Sequence, residues 1–182
     1  MERLTGRRAW VSERAMTEPT PPPPSPDSQG IDVDASVLFR MVRIVNMLTR
    51  TFPARAEEEM EITLLEWRVL AVVACHARTT MTEIAHYTGY NRMNVSRALR
   101  SLEARGLMDR FTDPDDRRRN VAELSGEGRA LYQRISAQAR EMDALLLSDS
   151  HPADLAAAGR VLDAMLANLY GLIGDTDVSG SE

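Results

Sequence analysis

Residues 90–119, YNRMNVSRALRSLEARGLMDRFTDPDDRRR, combine a short amphipathic helix with a basic hairpin. The first half runs without Gly or Pro as far as Gly106 and carries an apolar stripe at Val95, Leu99 and Leu102. This spacing predicts a helix over residues 90–105 that buries one face and ends at the glycine.

The opposite face of this helix is polar and cationic. At about 100° per residue, the stripe is centred opposite Ser96, Arg97 and Arg100. Hydroxyl and guanidinium groups on one exposed face suit DNA phosphates and guanine edges. The alternative is an ordinary solvated face on which Arg residues occasionally pair with Glu103.

The second half predicts a β-hairpin with a cationic tip. In LMDRFTDPDDRRRNVAEL, residues 107–124, two short segments that can pair flank an acidic turn containing Pro, and the turn is followed by Arg117, Arg118 and Arg119. Arg118 on such a hairpin can reach a narrow minor groove, where negative potential is concentrated, and Asp116 would restrain it. The alternative is a solvated loop whose charges neutralise one another.

Positive charge is concentrated in this region. Eight Arg face one Glu and four Asp between Asn91 and Arg119, a balance of +3 in a chain of net charge −5, so the remaining residues sum to −8. Contact with phosphates is local, so an acidic protein can bind DNA through one basic surface. All 22 basic residues are Arg, and outside this region we attribute the use of Arg to a GC-rich genome.

Composition and length exclude several other classes of protein. The chain has 182 residues and 43% hydrophobic content, enough for one domain and a tail. It has no apolar run of about 18 residues and no apolar stretch of signal-peptide length near its start. We therefore expect a cytoplasmic, nucleoid-associated protein with no membrane partner.

Catalysis finds no support in the sequence. His76, His86 and His151 have no metal-binding spacing, and neither a Ser/His/Asp set nor a Gly-rich phosphate loop is present. We expect no enzyme activity, no metal and no cofactor. The single cysteine, Cys75, is predicted to be an inert core thiol at the end of a buried helix; the alternative is a redox-sensing regulator that uses Cys75.

The ends of the chain differ in composition from its centre. Six of the fourteen residues in TEPTPPPPSPDSQG, residues 17–30, are Pro, and none is a large apolar residue. Residues 1–32 are therefore predicted to be a disordered Pro-rich leader, and residues 175–182 a disordered tail. Met16, just before the Pro-rich segment, is an alternative start.

Three helices are predicted ahead of the central stretch. The first follows Val33, with its apolar stripe at Leu38, Met41, Val45, Leu48 and Phe52, and Pro53 should end or kink it. Thr63 with Glu66, and Thr80 with Glu83, have capping-box spacing. They predict a buried helix from residue 63 and a short helix that ends at Gly89, so that the helix of residues 90–105 is the second of a helix-turn-helix.

Two long helices are predicted after the hairpin. One begins at Ser125 and ends near Ser148, with its inward residues at Leu131, Ile135, Met142, Leu145 and Leu146. The last begins near Ser150 and Pro152, with Leu155, Ala158, Leu162, Met165, Leu169 and Leu172 in 3, 4, 3, 4, 3 spacing, widened by Val161, Leu166 and Ile173. This stripe is too broad to be buried by contact with a single helix, so we expect this helix to pack against a second copy of the chain. The alternative is packing within the chain.

These patterns resemble the multiple antibiotic resistance regulator (MarR) family of winged helix-turn-helix regulators. The resemblance is carried by residues 62–70, by MTEIAHYTGYNRMNVSRALRSLEARGLMDR (81–110) and by DPDDRRRNVAELSGEGRALY (113–132), above all VSR followed by LEARGL and DRR followed by LSGEG. It implies a mainly α fold with a small β-hairpin wing, built as a dimer of six-helix subunits. Pro53 and the leader depart from the family pattern.

The resemblance also implies the organisation of the chain and its site. Residues 61–125 would form the winged helix-turn-helix DNA-binding domain, and residues 33–60 with 126–174 the helical dimerisation region. The fourth helix would enter the major groove and the wing the minor groove. The DNA-binding residues would be those of the helix and the wing tip: Asn91, Arg92, Asn94, Ser96, Arg97, Arg100, Asp116, Arg117 and Arg118.

The implied function is a transcriptional regulator, most simply a repressor, that binds double-stranded DNA as a homodimer. Two recognition helices about 34 Å apart would read an inverted-repeat operator. A small-molecule effector, phenolic or otherwise lipophilic, would relieve binding from a crevice bordered by Met41, Val45, Trp67 and His76, which are equally suited to a core. The contrasting hypothesis is a winged-helix protein-interaction module without DNA binding.

Overall fold

The computed structural model of the chain describes residues 32–51 and 61–178. Within these ranges it contains six helices and three strands, in the order α1 Val37–Thr51, α2 Leu64–Cys75, β1 Thr79–Thr80, α3 Met81–Thr88, α4 Arg92–Ala104, β2 Met108–Thr112, β3 Asn120–Leu124, α5 Gly126–Leu146 and α6 Pro152–Val178. The described residues up to 50 and those from 51 onwards belong to two separate compact units. Residues 1–31 of the predicted leader and 179–182 of the predicted tail lie outside the described residues, and residues 175–178 of that tail continue α6.

Helix α1 confirms the helical pattern predicted after Val33. Asp32 prepares its start, since Oδ1 accepts from the backbone N–H groups of Asp34 and Ala35 at 3.0 and 2.9 Å. Leu38 and Val45 of the apolar stripe are exposed. Phe52 and Pro53 lie outside the described residues, so the break at Pro53 stays a prediction.

Both predicted capping boxes are present. Thr63 Oγ1 accepts from Glu66 N at 3.2 Å, and Glu66 Oε2 accepts from Thr63 N at 2.8 Å. Thr80 and Glu83 repeat this exchange at the start of α3. Helix α3 ends at Gly89, whose φ of +71° is the left-handed conformation that glycine adopts without strain.

Only one stripe of α2 is fully buried, formed by Glu66, Val69, Leu70 and Val73. Cys75 is exposed, so the prediction of a core thiol is wrong. The physical reason is rotation: Cys75 is about 180° around the helix from the centre of that stripe, at 100° per residue. An apolar composition predicted burial on all sides, which α2 does not have.

Helix α4 confirms the predicted stripe. Val95, Leu99 and Leu102 are buried against α2, α3 and the sheet, and Gly106, with a φ of +67°, turns the chain into β2. The helix itself spans residues 92–104, because Asn91 and Arg105 act as caps. The predicted ends are each one or two residues too long, as is usual for helix termini.

The predicted hairpin is present, and a third strand extends it. Strand β2 pairs antiparallel with β3 in a register that places Phe111 opposite Val121, and β1 pairs with the other edge of β3, so the order is β1-β3-β2. Two residues, Thr79 and Thr80, are too few to show an alternating pattern, which is why β1 was not predicted.

Helix α5 is docked on the hairpin at its start, where Ser125 is the N-cap as predicted. Ser125 Oγ donates to Gly106 O at 2.7 Å. Leu131 and Ile135 are buried as predicted, but Leu145 and Leu146 are exposed in the single chain. The second half of α5 therefore extends beyond the core that the winged domain provides.

Helix α6 begins at Pro152, as predicted, and most of its apolar stripe is exposed. Leu155, Val161, Leu162, Leu166, Leu169, Leu172 and Ile173 are all exposed. One contact with the winged domain is formed by Tyr170, whose ring stacks on His86 at 4.5 Å between centroids and whose hydroxyl donates to His86 O at 3.2 Å. Packing within residues 61–178 therefore leaves the apolar face of α6 open.

Candidate nucleic-acid interface

The outward face of α4 carries cations as predicted. Arg97 and Arg100 are exposed on the side opposite the buried stripe. Among the described residues, no carboxylate lies within ion-pairing distance of either guanidinium or of Arg92. Ser96 is half-buried at the edge of this face. Both guanidinium groups are thus available to an anion.

Two asparagines organise the first turn of α4. Asn91 is the N-cap, and its Oδ1 accepts from Asn94 N at 2.9 Å. Asn94 Oδ1 in turn accepts from Arg97 Nη2 at 2.7 Å. Asn91 was predicted to meet DNA, and its side-chain oxygen is already used in the cap, so only its amide NH₂ remains for a ligand. Asn94 acts on Arg97 by restraining its side chain.

The tip of the wing presents Arg118 in the way the sequence suggested. Asp116 Oδ1 accepts from the backbone N–H of Arg118 at 3.1 Å and from its Nε at 3.3 Å. The Arg118 side chain is nevertheless 92% exposed. Arg117 is also exposed, and no ion pair joins it to another described residue. Asp116 therefore restrains the base of Arg118 and leaves its Nη groups open.

The base of the wing is internally neutralised. Arg119 Nη2 lies 3.0 Å from Glu83 Oε1 on α3, and Nη1 lies 3.9 Å from the buried Asp113. Arg78 Nη1 lies 2.5 Å from Asp115 Oδ2, and its Nε lies 3.3 Å from Glu123 Oε1. Of the three arginines, Arg119 is thus paired with Glu83 and Asp113, Arg118 pairs with Asp116 within the turn, and Arg117 forms no ion pair with another described residue.

These contacts shift two pKa values. The pKa of Glu83 is lowered, first by the backbone hydrogen bond from Thr80 and further by the Arg119 charge. The pKa of Arg78 is raised, first by its hydrogen bond to Asp115. Both shifts favour the charged forms, so the pairs that attach the wing to α3 and β1 remain ionised at neutral pH.

A groove of about 330 Å³ separates α4 from the wing. Four arginines line it: Arg92 of α4, Arg110 of β2, and Arg118 and Arg119 of the wing; Thr79–Thr82 form another side. Arg110 was not predicted; its Nη1 lies 3.6 Å from Glu103 Oε2. Folding thus brings the predicted residues Arg92 and Arg118 to one cationic groove, a juxtaposition that sequence spacing does not show.

Comparison with known proteins identifies the central segment. Residues 62–119 match the family model described as the MarR family. The match covers 58 of the 182 residues, about a third of the chain. This segment includes α2, α3, α4, the hairpin tip and every predicted site residue.

A curated relative and several solved structures resemble this chain. The relative is the uncharacterized HTH-type transcriptional regulator YhbI of Bacillus subtilis (strain 168), 29% identical over 87 residues, which are 48% of this chain and 56% of YhbI. The chain thus matches little more than half the length of this relative.

Solved structures resemble this chain over a longer stretch than residues 62–119. A MarR/EmrR family regulator from Acinetobacter sp. ADP1 matches this chain with a TM-score of 0.71 at 20% identity. The match covers 78% of this chain and 99% of the Acinetobacter chain. The S. aureus MepR–DNA complex has a TM-score of 0.66 at 22% identity and covers 75% and 98%. CouR from Rhodococcus jostii RHA1, bound to p-coumaroyl-CoA, has a TM-score of 0.69 at 20% identity and covers 76% and 96%. At these identities the likeness shows a shared fold.

Tyr132 of α5 lies beside two residues of α2, Trp67 and Cys75. The rings of Trp67 and Tyr132 stack with centroids 5.7 Å apart. Burial raises the pKa of Tyr132, and its side-chain hydrogen bond with Cys75 raises it further. Trp67 is one of the predicted crevice residues; Met41 and Val45 belong to the other compact unit, so the crevice stays a prediction.

Two of the three histidines, His76 and His86, stack on aromatic rings. His76 stacks on Tyr87 at 4.4 Å between centroids. Within residues 32–51 and 61–178, no group of three or more His, Cys, Asp and Glu side chains could hold a metal ion. None of the helices in the same ranges is long and apolar enough to cross a bilayer.

Proposed function

We propose that this chain is a sequence-specific DNA-binding transcriptional repressor that binds an inverted-repeat operator as a homodimer. The observation that carries the proposal is the pair of open cationic surfaces on one domain. Arg97 and Arg100 are exposed on α4, and Arg118 is exposed at the wing tip. The MarR-family match of residues 62–119 supports the same conclusion.

In this proposal α4 enters the major groove. A helix fits that groove, and its N-terminal residues contact base edges. Asn91, Asn94, Ser96 and Arg97 are in the first two turns or the cap, whereas Arg100 is farther along and would meet phosphates. Asn94 holds Arg97 at 2.7 Å, which lowers the entropy that the guanidinium loses on binding a guanine.

The wing follows the adjacent minor groove. Arg118 has free Nη groups because Asp116 accepts only from its Nε and backbone N–H. A guanidinium sheds its hydration more easily than an ammonium, which favours insertion into a narrow groove. Between the two contacts, the groove lined by Arg92 and Arg118 is suited to the phosphate backbone.

The homodimer is proposed from the apolar surface of α6. Leu162, Leu166 and Leu169 are 42%, 50% and 51% exposed on one face of that helix. Burying a contiguous patch of this kind against a second copy removes apolar area from water. A twofold arrangement then offers two α4 helices about one turn of DNA apart, which is the reason for an inverted repeat.

A small-molecule effector completes the proposal. Two structural neighbours are ligand complexes, CouR with p-coumaroyl-CoA and the Streptomyces coelicolor regulator PcaV with its natural ligand. For this chain we propose a phenolic or otherwise lipophilic ligand near Trp67 and Tyr132. Such a ligand changes DNA affinity only if it binds more tightly to one spacing of the two α4 helices than to another.

Selection from a random duplex pool by the full chain tests the function. We expect enrichment of an inverted repeat whose affinity falls at least about 100-fold between 50 and 200 mM salt, because several phosphates are neutralised per half-site. Binding of no duplex, or binding with a flat salt response, would contradict the proposal and favour a protein-interaction module.

A second candidate is a redox response through Cys75, favoured by the exposure of its thiol. Oxidation would place a polar group beside Tyr132, whose ring stacks on Trp67. Peroxide treatment should then release the selected duplex from the parent protein and leave Cys75→Ser bound. Equal release from both would refute it.

A further inference from the structure

Met93 is the most exposed large apolar side chain among the described residues, at 70%. It is the second residue of α4, in the turn that begins at the Asn91 cap. A single exposed apolar side chain on an arbitrary surface carries no meaning. This one is on the helix that carries the exposed cations of the candidate interface.

Its position on that helix is central. At 100° per residue, Met93 is about 170° from the centre of the buried stripe of α4. Arg97 and Arg100 follow it on the same line, one and two turns later. The outward face of α4 thus presents one thioether in its first turn and then two guanidinium groups.

We propose that Met93 is a specificity-determining residue that recognises the C5-methyl group of a thymine in each half-site. This inference rests on the proposed function and names one base that the operator must contain. In the major groove, thymine differs from every other base in presenting a methyl group. The Met side chain is unbranched, polarisable and at most a weak hydrogen-bond acceptor, so it favours an apolar partner over base N–H or C=O groups.

The neighbouring contacts complement this one. Arg97, restrained by Asn94, has the fork geometry that recognises guanine O6 and N7. A thymine contacted by Met93 and a guanine contacted by Arg97 would be separated by about one helical turn of α4. The half-site should therefore contain a required thymine near a required guanine.

The experiment replaces each thymine of the selected operator, one at a time, with deoxyuridine, which lacks only the methyl group. Binding of the full chain is compared for the parent protein, Met93→Ala, Met93→Leu and Met93→Gln. At one thymine per half-site, the replacement should weaken the parent and Met93→Leu about fourfold, the effect of one buried methyl group.

Met93→Ala and Met93→Gln should bind the thymine and deoxyuridine duplexes equally. Met93→Gln keeps the side-chain length of the parent, so it distinguishes the loss of the apolar contact from the loss of side-chain length. Since Met93 is exposed, all variants should melt at the parent temperature.

The same penalty in the parent and in Met93→Ala, or no penalty at any thymine, would overturn the inference and leave the proposed function intact. Failure of the parent to select any duplex would overturn both.

Discussion

Arg118 and Arg119 are adjacent in the sequence and differ in what they contact. Arg119 is half-buried and pairs with Glu83, whereas Arg118 is 92% exposed and touches only Asp116. The run of three arginines predicted a cationic tip, but it did not show which guanidinium holds the wing to α3. That distinction depends on the position of α3, which the hairpin sequence does not contain.

Changing Arg118 to Ala should weaken operator binding by about 1 to 3 kcal/mol, because the variant loses the guanidinium that enters the minor groove. Fluorescence anisotropy at fixed salt measures the loss. Arg134→Ala on α5, also an exposed arginine, is the matched control and should bind normally. Unchanged affinity of the Arg118 variant would show that the tip of the wing does not contribute to DNA binding.

At the scale of elements, the start of α5 decides how the hairpin is attached to the helical core. The glycines of SGEG, residues 125–128, differ in their surroundings. A Cβ at Gly128 would be 1.8 Å from the carbonyl oxygen of Leu107, whereas a Cβ at Gly126 would meet nothing within 4 Å. The helix therefore approaches the backbone before β2 so closely that only glycine fits at residue 128.

Gly128→Ala should lower the free energy of unfolding by about 3 kcal/mol, since the clash is with backbone and no rotamer relieves it. Gly126→Ala, two residues earlier in the same helical turn, should stay within about 1 kcal/mol of the parent. Urea unfolding monitored by circular dichroism compares the two. Equal midpoints for both variants would show that α5 can move away from Leu107.

At the scale of the whole molecule, the main feature is the apolar face of α6, which the packing of residues 61–178 leaves uncovered. The outward stripe of α6 was predicted from the spacing of its leucines, and the described residues leave Leu166 and Leu169 half exposed. In a monomer this apolar face stays in contact with water and contributes no free energy of burial. Association with a second copy would bury it and set the spacing of the two α4 helices.

We expect the chain to sediment as twice its mass of 20.3 kDa. Replacing both Leu166 and Leu169 with Glu should weaken the dimer by about 3 kcal/mol or more, because four buried side chains are lost per dimer. Operator affinity should fall with it. Ala164→Glu, on the opposite side of α6, is the control and should remain dimeric. A parent protein that sediments as a monomer would contradict the dimer.

Local patterns were enough to predict the six helices and the hairpin of the described residues, but not β1. Side-chain oxygens at Thr63 and Thr80 satisfy N–H groups three residues away, and the stripe of α4 repeats every three or four residues, so both can be read along the sequence. Contacts between distant segments cannot be predicted from such local patterns. The exposure of Cys75, the pairing of Arg119 with Glu83 and the groove shared by Arg92 and Arg118 depend on how the elements rotate and pack. Tertiary structure decided these, because which face of an element is buried is set by its neighbours as well as by its own composition.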